Sequence, residues 1–388
     1  MIEPAPPLAN FDTDRFLREY WQKKPLLIRQ AFPAWDNPLA PDELAGLACE
    51  DTAESRLITQ NGDGWKLEHG AFTEDRLQRL DRQGWTLLVQ AVDHFVPEVA
   101  ALLEQFRFIP NWRIDDVMVS LAPDGGGVGP HFDQYDVFLL QGLGSRRWQI
   151  GGPCDDASKL IPHGDLRLLA DFRPLDEWVL EPGDMLYVPP GIAHNGVAAS
   201  DDCMTYSIGF RAPSVADLIG SWADDLLDTI EDDERYRDGA MAGQANPGEI
   251  TPEAVNRLHS LITSRLCDRE AFAAWFGGYN TAPKYPDVDW QPYGQLTPDG
   301  LGAMLAGGAR ILRNPASRFA YIRGGQGGVT LFVDGTGYEC SDQTAPFAER
   351  LCAGLTCQPN SDEAQSPAVR KLAALLHNGG SIAFEEDA

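Results

Sequence analysis

The residues best suited to chemistry lie in 119–150, VSLAPDGGGVGPHFDQYDVFLLQGLGSRRWQI. His131 and Asp133 stand two apart, directly after the turn Gly125-Gly126-Gly127-Val128-Gly129-Pro130. An apolar run, Val137 to Leu140, follows. Residues i and i+2 of a strand project to the same face. A strand over 131–141 would point one imidazole and one carboxylate the same way, with Phe132 opposite. These are two ligands of a 2-His-1-carboxylate site, which suits non-haem Fe(II) and leaves positions open for substrate and oxygen. The second histidine is His194, in EPGDMLYVPPGIAHNG. There Glu181-Pro182-Gly183-Asp184 is a turn and Met185–Val188 a strand. Pro189-Pro190-Gly191 then turns the chain and delivers His194 to the next strand.

A His-x-Asp pair alone is a weak signal, because such a histidine is usually an ordinary polar residue. The glycine turn, the apolar strand and the PPGIAH return together favour metal. Zinc accepts two His and one Asp, but an open iron site fits this ligand set on a barrel better. The other histidines compete poorly. His94 follows a strand-like run, His163 sits in a polar loop, and His69, His259 and His377 have no paired ligand nearby in sequence.

Oxygen chemistry at such an iron calls for a co-substrate that supplies electrons. A dicarboxylate such as 2-oxoglutarate can chelate metal through its 2-oxo acid end, and its far carboxylate then needs a cation, best an arginine fork. Arg146 and Arg147 lie at the end of the segment, after Gly142 and Gly144 turn the chain. Either can point inward or sit solvated in the turn. Ser120 and Tyr206 are lesser hydrogen-bond candidates.

The elements around these residues change texture along the chain. FDTDRFLREYWQKKPLLIRQ (11–30) reads as a short amphipathic helix ending at Lys24-Pro25, then a strand at Leu26-Leu27-Ile28. A second helix opens at Pro41. Strand-like runs follow at Ser55–Thr59 and Trp85–Val92, and 95–107 reads as helix. From 111 to about 212, short apolar runs alternate with Gly/Pro/Asp turns. They are Asp115–Leu121, Asp136–Gln141, Arg147–Ile150, Glu177–Leu180, Met185–Val188 and Met204–Phe210. This pattern predicts a sandwich or barrel rather than βαβ units.

Near 213 the period becomes helical. Val215, Leu218, Ile219, Trp222, Leu226 and Ile230 form one apolar stripe. A second run covers 252–266 and a third 269–276, and such helices after a barrel favour a homodimer contact. Residues 277–296 read as a proline-rich linker. Short helices and strands then fill 296–388, as a small α+β domain such as a winged helix would. The resulting division is 1–212 for the barrel, 213–276 for the helices and 277–388 for the last domain.

The chain has 388 residues, with 31 Lys+Arg against 58 Asp+Glu, a formal net charge of −27. Such a field repels nucleic acid and favours basic partners, although acidic solubility alone also accounts for it. No basic stripe marks the last domain for DNA. No apolar run is long enough for a membrane span, and the first residues lack a secretory pattern, so a cytoplasmic protein is expected. The 7 cysteines are scattered, which argues against a disulfide framework or a structural zinc.

These motifs resemble a known family. NWRIDDVMVS (111–120), GGGVGPHFDQYDVFLLQGLGSRRWQIG, PGDMLYVPPGIAHNG and YSIGFR (206–211), with the opening FLREYWQKKPLLIRQAF, are similar to the bacterial JmjC/cupin-type ribosomal oxygenases. Within that family they are nearest to the arginyl hydroxylases. The likeness is dense over about 11–215 and less distinctive beyond. It implies a double-stranded β-helix (jelly-roll) core, a helical dimerisation region and a C-terminal winged-helix domain. It implies Fe(II) and 2-oxoglutarate, with hydroxylation of the β-carbon of an arginine in a basic large-subunit ribosomal protein. By motif position His131, Asp133 and His194 take the metal, Arg146 takes the co-substrate carboxylate, and Ser120 assists it. A cationic substrate side chain would want acidic or aromatic partners, and Asp115, Asp116, Tyr135 and Asp136 lie near. The alternatives are a histidyl or asparaginyl hydroxylase or a lysyl demethylase on the same scaffold, or a non-catalytic cupin binding module.

Overall fold

The computed structural model describes residues 7–62, 64–231, 234–238, 243–324 and 327–385. Its contacts group into two compact units. One holds Met1–Ala212, Tyr285–Ser317 and Arg350–Ala388; the other holds Pro213–Lys284 and Arg318–Glu349.

In the first unit the strands are β1 (Leu26–Ile28), β2 (Ser55–Asn61), β3 (Gly64–His69), β4 (Trp85–Val89), β5 (Ile114–Ala122), β6 (Asp136–Leu143), β7 (Arg146–Pro153), β8 (Asp176–Leu180), β9 (Met185–Val188), β10 (Ile192–Ala198) and β11 (Cys203–Phe210). Eight of them form one sheet, in the order β1-β9-β6-β11-β5-β4-β2-β3. Three form another, β10-β7-β8. All named pairings within the two sheets are antiparallel. The two sheets enclose the cavity that carries the candidate site, which is the double-stranded β-helix expected from the sequence.

The unbroken apolar run in β6 has a simple cause: both faces of the strand are covered. Phe138 and Leu140 join Phe16, Phe106, Tyr187 and Phe210 in one cluster. Val137 and Leu139 join Trp148, Ile150 and Leu186 in another. A strand buried on both faces reads as a continuous hydrophobic stretch. Truncating Phe138 to alanine would cost about 3–5 kcal/mol by the usual range for buried aromatics.

One local expectation fails. The strand over 131–141 begins only at Asp136. Pro130 offers no N–H to a ladder, and Gly129 sits at φ 85°, a conformation glycine tolerates best. His131 enters the sheet instead as a single bridge to His194, with a second bridge at Gly127↔Val197. The backbone oxygen of Asp133 accepts from Gly191 N at 2.7 Å. The ligand pair is therefore carried by a tethered loop.

Three long helices lie in the second unit. Val215–Thr229 is capped by Ser214, Pro252–Leu266 by Thr251, and Arg269–Thr281 by Asp268. Each cap side chain accepts from a backbone N–H of the first turn, as such residues do. Trp222, Phe272 and Trp275 pack together, with ring centroids 5.2–5.7 Å apart. The third helix runs through Gly277-Gly278 into the stretch read as linker. Gly277 lies against the Phe332 ring, where a Cβ would come within 2.4 Å. Gly277, the first residue of the stretch read as linker, is thus a packing site inside the helix. The strands Phe319–Arg323, Val329–Val333 and Thr336–Cys340 form an antiparallel sheet in this unit. In the first unit, Thr356–Cys357, Arg310–Arg313 and Ile382–Glu385 form another, alongside the helices Pro298–Ala306 and Pro367–Asn378.

Candidate active site

The fold brings His131, Asp133 and His194 together, with one ligand atom from each within 4.8 Å of the others. Nε2 of His194 lies 3.5 Å from Oδ2 of Asp133, and Nε2 of His131 lies 3.9 Å from it. Each imidazole is oriented from behind. Nδ1 of His131 is 2.9 Å from the Gly129 carbonyl, and Nδ1 of His194 is 2.9 Å from that of Ile192. A carbonyl only accepts, so Nδ1–H donates and the Nε2 lone pair faces the centre. The two histidines also exchange main-chain hydrogen bonds, at 3.0 and 2.8 Å. Burial, then the neighbouring His131, push the pKa of His194 down to about 4. It is thus neutral at neutral pH, as a metal ligand must be.

The triad lines a cavity of about 320 Å³. Strand parity decides what else faces it. On β7, Arg146, Trp148 and Ile150 are buried while Arg147 is exposed and pairs with Glu177. Of the two arginines, Arg146 therefore points inward. It is 3% exposed. Its Nη2 donates to Ser120 Oγ at 3.4 Å, and its guanidinium lies 5.8 Å from the centre of the Trp148 ring. Arg146 Nε and Trp148 Nε1 are buried with no hydrogen-bond partner among the described residues. Buried donors are seldom left so. Two of them on one wall of a cavity are what an absent anionic ligand would leave behind.

On β11, Thr205 and Ser207 face the cavity, and Tyr206 faces the core, where its hydroxyl donates to Asn37 Oδ1 at 3.0 Å. Tyr206 is thereby removed as a co-substrate partner. Tyr135 lines the cavity but remains 43% exposed. The protein around its hydroxyl, then the Asp133 carboxylate, raise its pKa, so it stays a neutral phenol.

Asp136 does not belong to the site. Val137 faces the cavity, so its neighbour faces the other way. Asp136 is fully buried, accepting from Tyr187 Oη at 2.6 Å, Gln22 Nε2 at 3.0 Å and Arg113 Nη2 at 3.1 Å. Its role is to tie the N-terminal helix region to the barrel. Asp116 shares the inner face of β5 with Met118 and Ser120. It is 2% exposed, and Gln90 Nε2 donates to both of its oxygens, at 3.0 and 2.8 Å.

The sequence reading missed Arg56, Met118, Trp148, Thr205, Ser207 and the loop Asp165–Leu168, all of which line the cavity. Parity along β5, β7 and β11 was the available signal for four of them. The loop had none. His163 anchors it, accepting from the backbone N–H groups of Asp165 and Leu166 and meeting the Trp65 carbonyl at 3.1 Å.

The JmjC-domain family matches residues 101–218, and the ROXA-like winged helix matches residues 260–382. The chain is 35% identical to the ribosomal protein uL16 3-hydroxylase of Escherichia coli, over 95% of its own length and 97% of that protein's. The chain belongs to the ribosomal oxygenase family. It is also 39% identical to a probable ribosomal oxygenase of Haemophilus influenzae, over 67% of this chain and 66% of that one. The structure of YcfD, a ribosomal oxygenase from Escherichia coli, in complex with cobalt and 2-oxoglutarate superposes with a TM-score of 0.85 at 34% identity. The match covers 98% of this chain and 99% of that one. A JmjC barrel and a winged-helix domain are therefore shared with this family, as the motifs implied.

Proposed function

We propose that this protein is an Fe(II)- and 2-oxoglutarate-dependent hydroxylase of an arginine β-carbon in the large-subunit ribosomal protein uL16. The observation that carries the reading is the meeting of the triad and the inward Arg146 in one cavity. The similar Escherichia coli protein is a uL16 3-hydroxylase, and the similar YcfD structure holds cobalt and 2-oxoglutarate.

The residues present fit both groups. Two imidazoles and a carboxylate are the donor set of a non-haem iron with open positions, and the two partnerless donors suit a dicarboxylate. Bound iron with 2-oxoglutarate supplies the oxygen chemistry that turns C–H into C–OH, with succinate and CO₂ as co-products. The chain's own residues do the rest. His131, Asp133 and His194 would hold the metal. Arg146, with Ser120 beside it, would hold the far carboxylate of the co-substrate, and Trp148 flanks it. Ile58, Leu88, Val137 and Leu139 give the cavity dry walls, which strengthens every charge interaction inside. In this reading Tyr135 and Met118 would pack on the aliphatic stem of an arginine, and Asp116 would meet its cation. Holding one C–H bond near the metal is the positional part of the catalysis.

The helices Val215–Thr229 and Pro252–Leu266 are assigned to a homodimer contact. Val215 (73%), Ile219 (64%) and Ile262 (58%) are exposed on them, more apolar surface than a free helix pair comfortably shows water. We assign residues 1–212 to the oxygenase domain, 213–276 to dimerisation and 277–388 to the winged-helix-like part. That last part is read as a partner-contacting element without direct DNA binding. Among the described residues no helix is long and apolar enough to cross a membrane, and the cytoplasm, where ribosomal proteins are made, is the assigned compartment.

The deciding experiment incubates uL16 with the protein, Fe(II) and 2-oxoglutarate, and measures the intact mass of the substrate. One oxygen gained on an arginine, with equal succinate and loss in His131→Ala, is the expected result. Oxygen on a histidine would reject the arginine assignment. No 2-oxoglutarate turnover with any ribosomal protein would reject the enzyme.

A further inference from the structure

A cavity meant for a cationic side chain should not need an arginine of its own in the wall. Yet Arg56, on β2, lines it. Its position follows from register. Arg56 pairs with Leu88, and Leu88 with Ser120, so the three share a row across the sheet on the cavity face. The Arg56 guanidinium has partners of its own. Its Nη2 donates to Gln90 Oε1 at 3.0 Å and lies 3.6 Å from Met118 Sδ.

Gln90 is the next link. Its Nε2 donates to both carboxylate oxygens of Asp116. A glutamine amide has one accepting and one donating end. With Arg56 on the oxygen, only the NH₂ end can face Asp116. The flipped amide would set its oxygen against the carboxylate and its NH₂ against the guanidinium. Arg56 thus fixes the amide, and the amide fixes the plane of the carboxylate.

We infer that Arg56 and Gln90 are positioning residues for substrate: they hold Asp116 in the orientation that accepts the substrate cation. This rests on the reading of Asp116 as the acceptor of the substrate cation. Gln90 Nε2 bridges the inner edge of the carboxylate, so the substrate cation would meet an outer lone pair of one oxygen, and the Gln90 amide fixes where that lone pair points.

The sign of the Arg56 effect separates this from its opposite. As a bystander cation Arg56 would repel the substrate, and its removal would tighten peptide binding. As a positioning residue it helps, and its removal weakens binding.

The test uses the metal-loaded enzyme with a uL16 peptide carrying the target arginine. For Arg56→Met and Gln90→Met, the expected result is a rise of about tenfold in arginine-peptide KM, the size of a lost hydrogen bond to a charged group. The KM for 2-oxoglutarate should hold, and Arg56→Lys should restore most of the loss by again donating to Gln90 Oε1. An unchanged or lowered peptide KM in Gln90→Met and Arg56→Met, with Asp116→Asn raising it, overturns the positioning role while keeping Asp116. An unchanged KM in Asp116→Asn overturns the reading on which the inference rests, and the inference with it.

Discussion

Replacing Arg146 with methionine should have opposite effects on the empty and the loaded protein. In the free protein Arg146 is 3% exposed, its Nε has no partner among the described residues, and Nη2 has only a long contact to Ser120. A cation buried without compensation costs free energy rather than adding it. Methionine fills similar space without that cost, so the empty protein should keep its stability or gain about 1 kcal/mol. With co-substrate bound the balance reverses. Removing one partner of a buried, hydrogen-bonded charge pair costs about 3–5 kcal/mol, or two to three decades in affinity at about 1.4 kcal/mol per decade. The assay is calorimetric titration of 2-oxoglutarate into the Co(II)-loaded protein, paired with melting curves of both proteins with and without it. Wild type should gain several degrees from 2-oxoglutarate, and the variant none. A variant that binds 2-oxoglutarate within threefold of wild type would refute the assignment of Arg146. So would an empty variant that melts far below wild type, because Arg146 would then be structural.

Other outcomes follow from the same geometry. Because the pKa of His194 is held at about 4 in the fold against about 6.5 when unfolded, the unfolded chain takes up the proton first. The metal-free protein should lose stability as pH falls from about 6.5 towards 4. His194→Gln should flatten that slope, and an equal slope in both would refute the burial argument. Asp136→Asn should cost about 3 kcal/mol, because it strips the charge partner from Arg113, while the KM for 2-oxoglutarate stays put; a change in that KM would return Asp136 to the site. Ile219→Asp with Ile262→Asp should convert the dimer to monomer by light scattering at micromolar concentration, and a wild type already monomeric there would dispose of the dimer.

The metal triad was legible because its chemistry is local. A histidine and a carboxylate two apart, and a proline-glycine turn ahead of a second histidine, announce themselves in one dimension. The sequence did not reveal how the first pair is held. It was expected on a strand and sits on a loop, because Gly129-Pro130 opens the ladder before Asp136 can begin it. Arg146 against Arg147 was a question of parity that the turn left ambiguous by one residue, and burial of alternate β7 positions resolved it. Asp136 was misjudged on the same parity, since nearness in sequence to Asp133 says nothing of face. Arg56 and Gln90 were out of reach. Their relevance comes from neighbouring strands of the large sheet, and no local pattern encodes that adjacency.

The bridge between His131 and His194 has a kinetic consequence. Their main-chain amides bond each other's carbonyls, while their side chains are placed to bind one ion. A metal would span the same rung twice, once through backbone and once through imidazole. Opening that rung would then require releasing the ion, so deuterium uptake at these two amides should become a direct gauge of occupancy. Exchange should be slow in the loaded protein and fast after chelation, with β6 little changed. The last rung of the small sheet would close with the metal and loosen without it.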